Sequence, residues 1–174
     1  IVDPSTGRTN LQNEITYDLS RVPSRTRMRV YADATGQESF VNDQFMDGLG
    51  RTRQVRTPTK QAGQQMVSGA VEYDGKGRAK KQWVSYFEAA SDVYVPHNPA
   101  ALPKPTEYAY DALNRQIQTT NPDRSTVQVE YHGHEITYTD ANFHRVVKNT
   151  DGHGQVLSVV ESISGASKTT TYTF

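Results

Sequence analysis

Two histidines separated by one glycine, His132-Gly133-His134, form the sharpest chemical pairing in this chain. On a strand their imidazoles share one face. With Glu130 or His144 nearby they could hold zinc. The plainer account, exposed imidazoles beside a glycine bend, is preferred; a zinc titration that releases no heat would end the metal reading. His97 stands in a proline-rich stretch and His153 in a turn, and neither has the setting of a catalytic base. No Gly-x-Ser-x-Gly nucleophile elbow occurs, and Gly75-Lys76-Gly77-Arg78 is too short for a phosphate loop. The carboxylates are scattered through turn-like segments, with no apolar pocket in view to raise a pKa. No catalytic, cofactor or metal residue is assigned, and the chain is expected not to be an enzyme.

The aspartates instead belong to a recurring phrase: a large residue, Asp, two variable residues, Gly or Asn, then a basic or polar residue. It reads Met46-Asp47-Gly48-Leu49-Gly50-Arg51, then Tyr73-Asp74-Gly75-Lys76-Gly77-Arg78, then Tyr110-Asp111-Ala112-Leu113-Asn114-Arg115. Thr150-Asp151-Gly152-His153-Gly154-Gln155 is a weaker copy. An internal repeat speaks for architecture before catalysis. Asp opens turns because its carboxylate accepts from backbone N–H groups two residues on. Gly and Asn are the residues that best tolerate positive φ. Gly50, Gly77, Asn114 and Gly154 are therefore expected to close type I turns in left-handed conformation, joining hairpin strands. The arginines are expected to be solvated or cross-strand, and the tyrosines to pack with a wet hydroxyl.

The elements that carry these turns read as strands. Val71 and Tyr73, and Tyr108 and Tyr110, share faces, and Gln116–Thr120 and Val156–Val160 supply return strands. Residues 1–13 look like a loop or lead-in strand. Pro23 is expected to mark an edge or bulge. Residues 27–31 form a half-exposed strand, Val55 lies in a return strand ending at Pro58, and residues 67–73 rise into the second copy. In 82–95 the spacing of Trp83, Tyr86 and Phe87 allows either a short helical turn or an aromatic plug over the sheet. Pro96, Pro99, Pro103 and Pro105 make a stiff linker. The organisation expected is a first repeat group at 1–95, a linker at 96–106 and a second group at 107–174. Asn121–Ser125 reads as a turn, and Asp140–Arg145, one residue longer than the other copies, as a related hairpin with a different turn.

With 174 residues, 34% hydrophobic content and mean hydropathy −0.74, the chain is poor in apolar residues for a compact globule. Formal net charge is zero, which removes the electrostatic case for nucleic acid. No apolar run is long enough to span a membrane as a helix. Cysteine is absent, so thiolate and disulfide chemistry are excluded. The chain is expected to be a piece of a larger protein, since it does not begin with Met and its last residues read as a strand.

The run from Tyr110-Asp111-Ala112-Leu113-Asn114-Arg115 through Asn121-Pro122-Asp123 to Val129-Glu130-Tyr131 resembles one full unit of the YD-repeat, or Rhs-repeat, family. The resemblance covers most of the chain from about Phe45 onward. It implies an all-β fold of repeated antiparallel hairpins in a ribbon-like sheet, a segment of a larger spiral shell. It also implies a bacterial protein, secreted or at the cell surface, of the kind found in Rhs-type and insecticidal toxin complex proteins. The partners implied are the rest of the same shell-forming polypeptide or a partner toxin subunit, and an enclosed C-terminal toxin domain. The chain departs from the family in lacking both a cargo domain and an Asp-Pro-x-Gly self-cleavage motif. A surface adhesin or carbohydrate-binding module is the alternative. An isolated slice with open sheet edges is expected to be marginally stable or oligomeric.

Overall fold

Period-two alternation and turn residues at short intervals leave little but strands to form, and the computed structural model contains no helix among the residues it describes, 13–31, 38–98, 100–101 and 103–174. The lead-in expected before residue 13 lies outside them. The chain divides into two compact units, residues 1–103 and 104–174.

The first unit holds β1 (Asn13–Asp18), β2 (Ser24–Tyr31), β3 (Glu38–Met46), β4 (Thr52–Pro58), β5 (Gln64–Ser68), β6 (Val71–Tyr73), β7 (Ala79–Gln82) and β8 (Tyr86–Ala89). Six of them make an antiparallel sheet in the order β1-β2-β3-β4-β5-β8, and β6 and β7 pair as a hairpin. Pro23 sits in the connection before β2, so it ends a loop and interrupts no strand. The stretch 67–73 that rises into the second copy is broken in two: Gly69 turns the chain at φ 59°, with β5 in the six-stranded sheet and β6 paired to β7.

Of the two readings of 82–95, the helical turn is overturned. Tyr86–Ala89 is β8, paired with β5 through Met66 and Phe87. Strand pairing at the sheet edge supplies the backbone partners that a lone helical turn would lack. Trp83 and Tyr86 pack with Val67 and Ala70 as a buried cluster. The chain from Ala90 to His97 then runs over this unit as a strap. Ala90 N–H donates to Gly63 O (2.8 Å) and Ser91 N–H to the Gln65 side chain (2.9 Å). The Tyr94 ring meets Phe45 with centroids 6.0 Å apart, and the His97 ring lies 4.4 Å from Tyr86 and 5.5 Å from Trp83. Buried polar groups share the interior. Arg27 grips Asp43 through two 2.7 Å bonds. Arg56, wholly buried, pairs with Glu88 and donates to Val95 O (3.4 Å).

The second unit is a plain meander: β9 (Thr106–Tyr110), β10 (Gln116–Thr120), β11 (Thr126–His132), β12 (Glu135–Thr139), β13 (Arg145–Thr150), β14 (Val156–Ile163) and β15 (Ala166–Thr171). Each strand pairs antiparallel with the next. The protein is thus all-β, built from repeated antiparallel hairpins in open sheets.

Candidate functional site

The recurring phrase is the candidate site, and every copy caps a hairpin. Asp47–Arg51 joins β3 to β4, Asp74–Arg78 joins β6 to β7, Asp111–Arg115 joins β9 to β10, and Asp151–Gln155 joins β13 to β14. The backbone closes the same way each time. The Asp N–H donates to the carbonyl four residues on, at 2.8–3.0 Å across Asp47, Asp74, Asp111 and Asp151, while the third residue after Asp donates back to the Asp carbonyl. That third residue has positive φ: Gly50 75°, Gly77 83°, Asn114 65° and Gly154 83°. A register shift accompanies each turn, in keeping with a type I turn plus a bulged left-handed residue.

The Asp side chain adds a second layer. In the copy at Asp74, Oδ1 accepts from Lys76 N–H and Arg78 N–H, both at 2.9 Å. Its Oδ2 takes the Arg78 guanidinium through Nε (2.7 Å) and Nη2 (2.6 Å). Asp47 and Arg51 do the same at 2.8 and 2.7 Å, and Arg115 Nε reaches Asp111 at 2.7 Å. The arginine is therefore a clasp on its own turn, where the sequence suggested a solvated or cross-strand group. The signal was present as a constant Asp-to-Arg spacing of four, but on an extended strand that spacing brings nothing together. Only the reversal of the chain does so.

These contacts depress the carboxyl groups. The Arg51 guanidinium, ahead of the backbone N–H groups, holds Asp47 below its ordinary value. For Asp74 the Arg78 backbone N–H leads and its guanidinium follows. At Asp111 burial is the largest influence and acts upward, yet the Arg115 N–H and guanidinium outweigh it together, and the net shift is down.

The clasped arginines also reach another hairpin. Arg51 lies over the Tyr73 ring at 4.2 Å, and Arg115 over Tyr131 at 3.9 Å. Tyr73 OH donates to Thr52 O (3.1 Å), tying the second copy to the strand that leaves the first. Gly77 is held by space as well as by φ, because a Cβ there would overlap Arg51 Nη1; around Gly154 there is open space.

Two further turns share the geometry. Asp140 N–H donates to His144 O, and Phe143, at φ 63°, donates to Asp140 O. Asp140 Oδ1 accepts from Asn142 and His144 N–H, each at 2.8 Å. This is the same turn closed at His144, rather than a longer one closed at Arg145; a Phe in the left-handed slot hid it. Asn121–Ser125 closes alike, with Arg124 at φ 74° in that slot. Among the other residues considered, His132 and His134 flank the Gly133 bend, and His132 Nε2 lies 3.7 Å from Glu130. Among the described residues no group of three His, Cys, Asp or Glu side chains is placed to hold a metal, and no helix is long and apolar enough to cross a membrane.

The sequence profile of a family described as Domain of unknown function (DUF6443) matches residues 20–158. No curated protein matches the sequence. Solved structures do share the fold. A crystal structure of TcdB2-TccC3 aligns with 97% of this chain and 10% of its own, at TM-score 0.70 and 16% identity. TcdB2-TccC3 without its hypervariable C-terminal region aligns with 86% of this chain and 9% of its own, at TM-score 0.68 and 16% identity. A TccC3-mutant Tc holotoxin pore of Photorhabdus luminescens aligns with 88% and 9%, at TM-score 0.70 and 16% identity. The chain spans about a tenth of the length of the structures it matches.

Proposed function

The chain belongs to the DUF6443 family, and from that premise we propose that it is a structural YD/Rhs-repeat segment of a β-shell enclosing a toxin or effector domain of a large bacterial protein. The observation that carries this reading is the clasped turn. Asp, a left-handed residue and Arg recur at hairpin ends, and the clasped Arg51 and Arg115 each lie over a tyrosine of another hairpin. Such a device stiffens a wall. The fold shared with TcdB2-TccC3 supports it. On this reading the chain is not an enzyme, its partners are the rest of the same polypeptide or a partner toxin subunit and the C-terminal cargo, and the whole is secreted or displayed at the cell surface. The repeat groups at 1–95 and 107–174 are each read as a stretch of shell wall, with the proline-rich 96–106 between them in sequence.

The adhesin alternative draws less support. Sugar-binding tyrosines offer a bare ring face, and those of Tyr73 and Tyr131 are covered by guanidinium groups.

The test uses the parent polypeptide. Limited proteolysis of the intact protein is expected to spare its C-terminal domain, and Gly77→Val, which damages one hairpin of the wall, is expected to expose that domain to cleavage. A C-terminal domain cut equally fast in both proteins would sink the proposal.

A further inference from the structure

Under the strap of the first unit lies a cavity of about 90 Å³, walled in part by Arg53, Trp83, Tyr94 and His97. Arg53 Nε, Trp83 Nε1 and His97 Nε2 are closed off from solvent and have no hydrogen-bond partner. The first two atoms can only donate, and the imidazole donates as well in the tautomer that carries its proton on Nε2. Unmade donors shut off from solvent call for an acceptor.

The charge says which kind. Arg53 donates through Nη2 to Tyr94 OH (3.2 Å), and its guanidinium lies 5.8 Å from the Tyr94 ring centre and 6.0 Å from that of Tyr73. Among the described residues no carboxylate pairs with it. Glu72 also borders the cavity, but its side chain is 41% exposed and is drawn to Lys80 Nζ at 3.8 Å. A cation without a counter-charge, beside an indole N–H and an imidazole, is a setting for an anion. The cavity has room for an anion of halide or formate size.

We propose that this cavity binds one small monovalent anion, of halide or formate size, which accepts from Arg53 Nε and Trp83 Nε1 and pins the strap through His97.

Trp83 is the only tryptophan, so fluorescence excited at the red edge, where the tyrosines do not absorb, reports on the side chain that borders this cavity. The 174-residue chain is titrated with sodium bromide against sodium gluconate, a much larger anion, at constant ionic strength. A saturating change in bromide, absent in gluconate, is expected. Arg53→Gln, with its circular dichroism unchanged, is expected to raise the half-saturating bromide concentration at least about tenfold. Should that variant fail to fold, crystals of the unaltered protein grown in bromide decide the matter: an anomalous peak within reach of Arg53 Nε and Trp83 Nε1 supports the site. Superimposable bromide and gluconate titrations, or water without anomalous signal in the cavity, overturn it. Either result bears on the cavity alone and leaves the wall reading to its own proteolysis test.

Discussion

In the unit spanning residues 1–103, Phe45, Val67, Trp83 and Tyr86 are buried along with Arg56, Gln54 and Asp43; in the sheet of the unit spanning 104–174, the fully buried side chain is Thr137. Both units carry clasped turns. The first adds a strap that covers side chains and builds a core, whereas the second relies on strand pairing and on the turns themselves. Its β15 is exposed along its length, and Tyr138, Val146, Val159 and Tyr172 line an open groove. The contrast teaches that the turn sets local geometry in both places, while burial, which supplies most stabilisation per residue, is concentrated in one. A repeat so sparsely buried depends on its neighbours.

The largest test strikes the core. Trp83→Ala is expected to cost about 3–5 kcal/mol and to open β4, β5 and β8 to hydrogen exchange while amides of β11 to β13 keep their protection. Equal loss in both units would break the comparison, because it would mean that one core serves both.

Next come the glycines of the turn. Gly77→Val should destabilise by about 2 kcal/mol or more, from positive φ and the overlap with Arg51, against about 1–2 kcal/mol for Gly154→Val, where only φ resists. Denaturant unfolding of the two variants checks this; an equal loss would mean that the Arg51 guanidinium moves aside freely.

A smaller effect tests coupling between hairpins. A double-mutant cycle of Arg115→Gln and Tyr131→Leu is expected to give a coupling of about 0.5–1 kcal/mol. A value near zero would leave each hairpin of the second unit self-contained.

Acid supplies the last test. Ser125 side-chain bonding leads at Asp123 and the His144 N–H at Asp140, and both carboxyls, like Asp111, sit below their ordinary value of 3.8. A lowered folded-state pKa contributes stability that is complete above the ordinary value and is lost as pH falls through the folded one. Stability should therefore hold down to about pH 4 and fall below it, with amides of the second unit exchanging first because it has the smaller core. Earlier opening of the first unit on acidification would reverse the comparison.

Much of this was open to reading in the chain. Strand positions followed from alternation, and Gly50, Gly77, Asn114 and Gly154 announced their turns because few other residues accept positive φ. The turns at Asn121 and Asp140 were legible as turns, but the same rule hid that they share the geometry of the others, because their left-handed slots hold Arg124 and Phe143. The clasp partners were visible as residues without their contact, since an Asp and an Arg four apart meet only once the chain reverses between them. The break at Gly69 was missed because an alternating strand pattern does not say to which sheet each half belongs.

By itself, then, the sequence determined what is local: where strands run, where they turn, and which residue types can stand at each corner. Steric limits on φ and the two-residue period of a strand act over a few residues, so they are written in a few residues. The tertiary structure alone decided which hairpin an arginine leans on, that 82–95 is an aromatic plug and strap, and that Arg56 is buried against Glu88, 32 residues away along the chain. Those outcomes depend on packing between segments far apart in sequence, and no periodicity records which of them will meet.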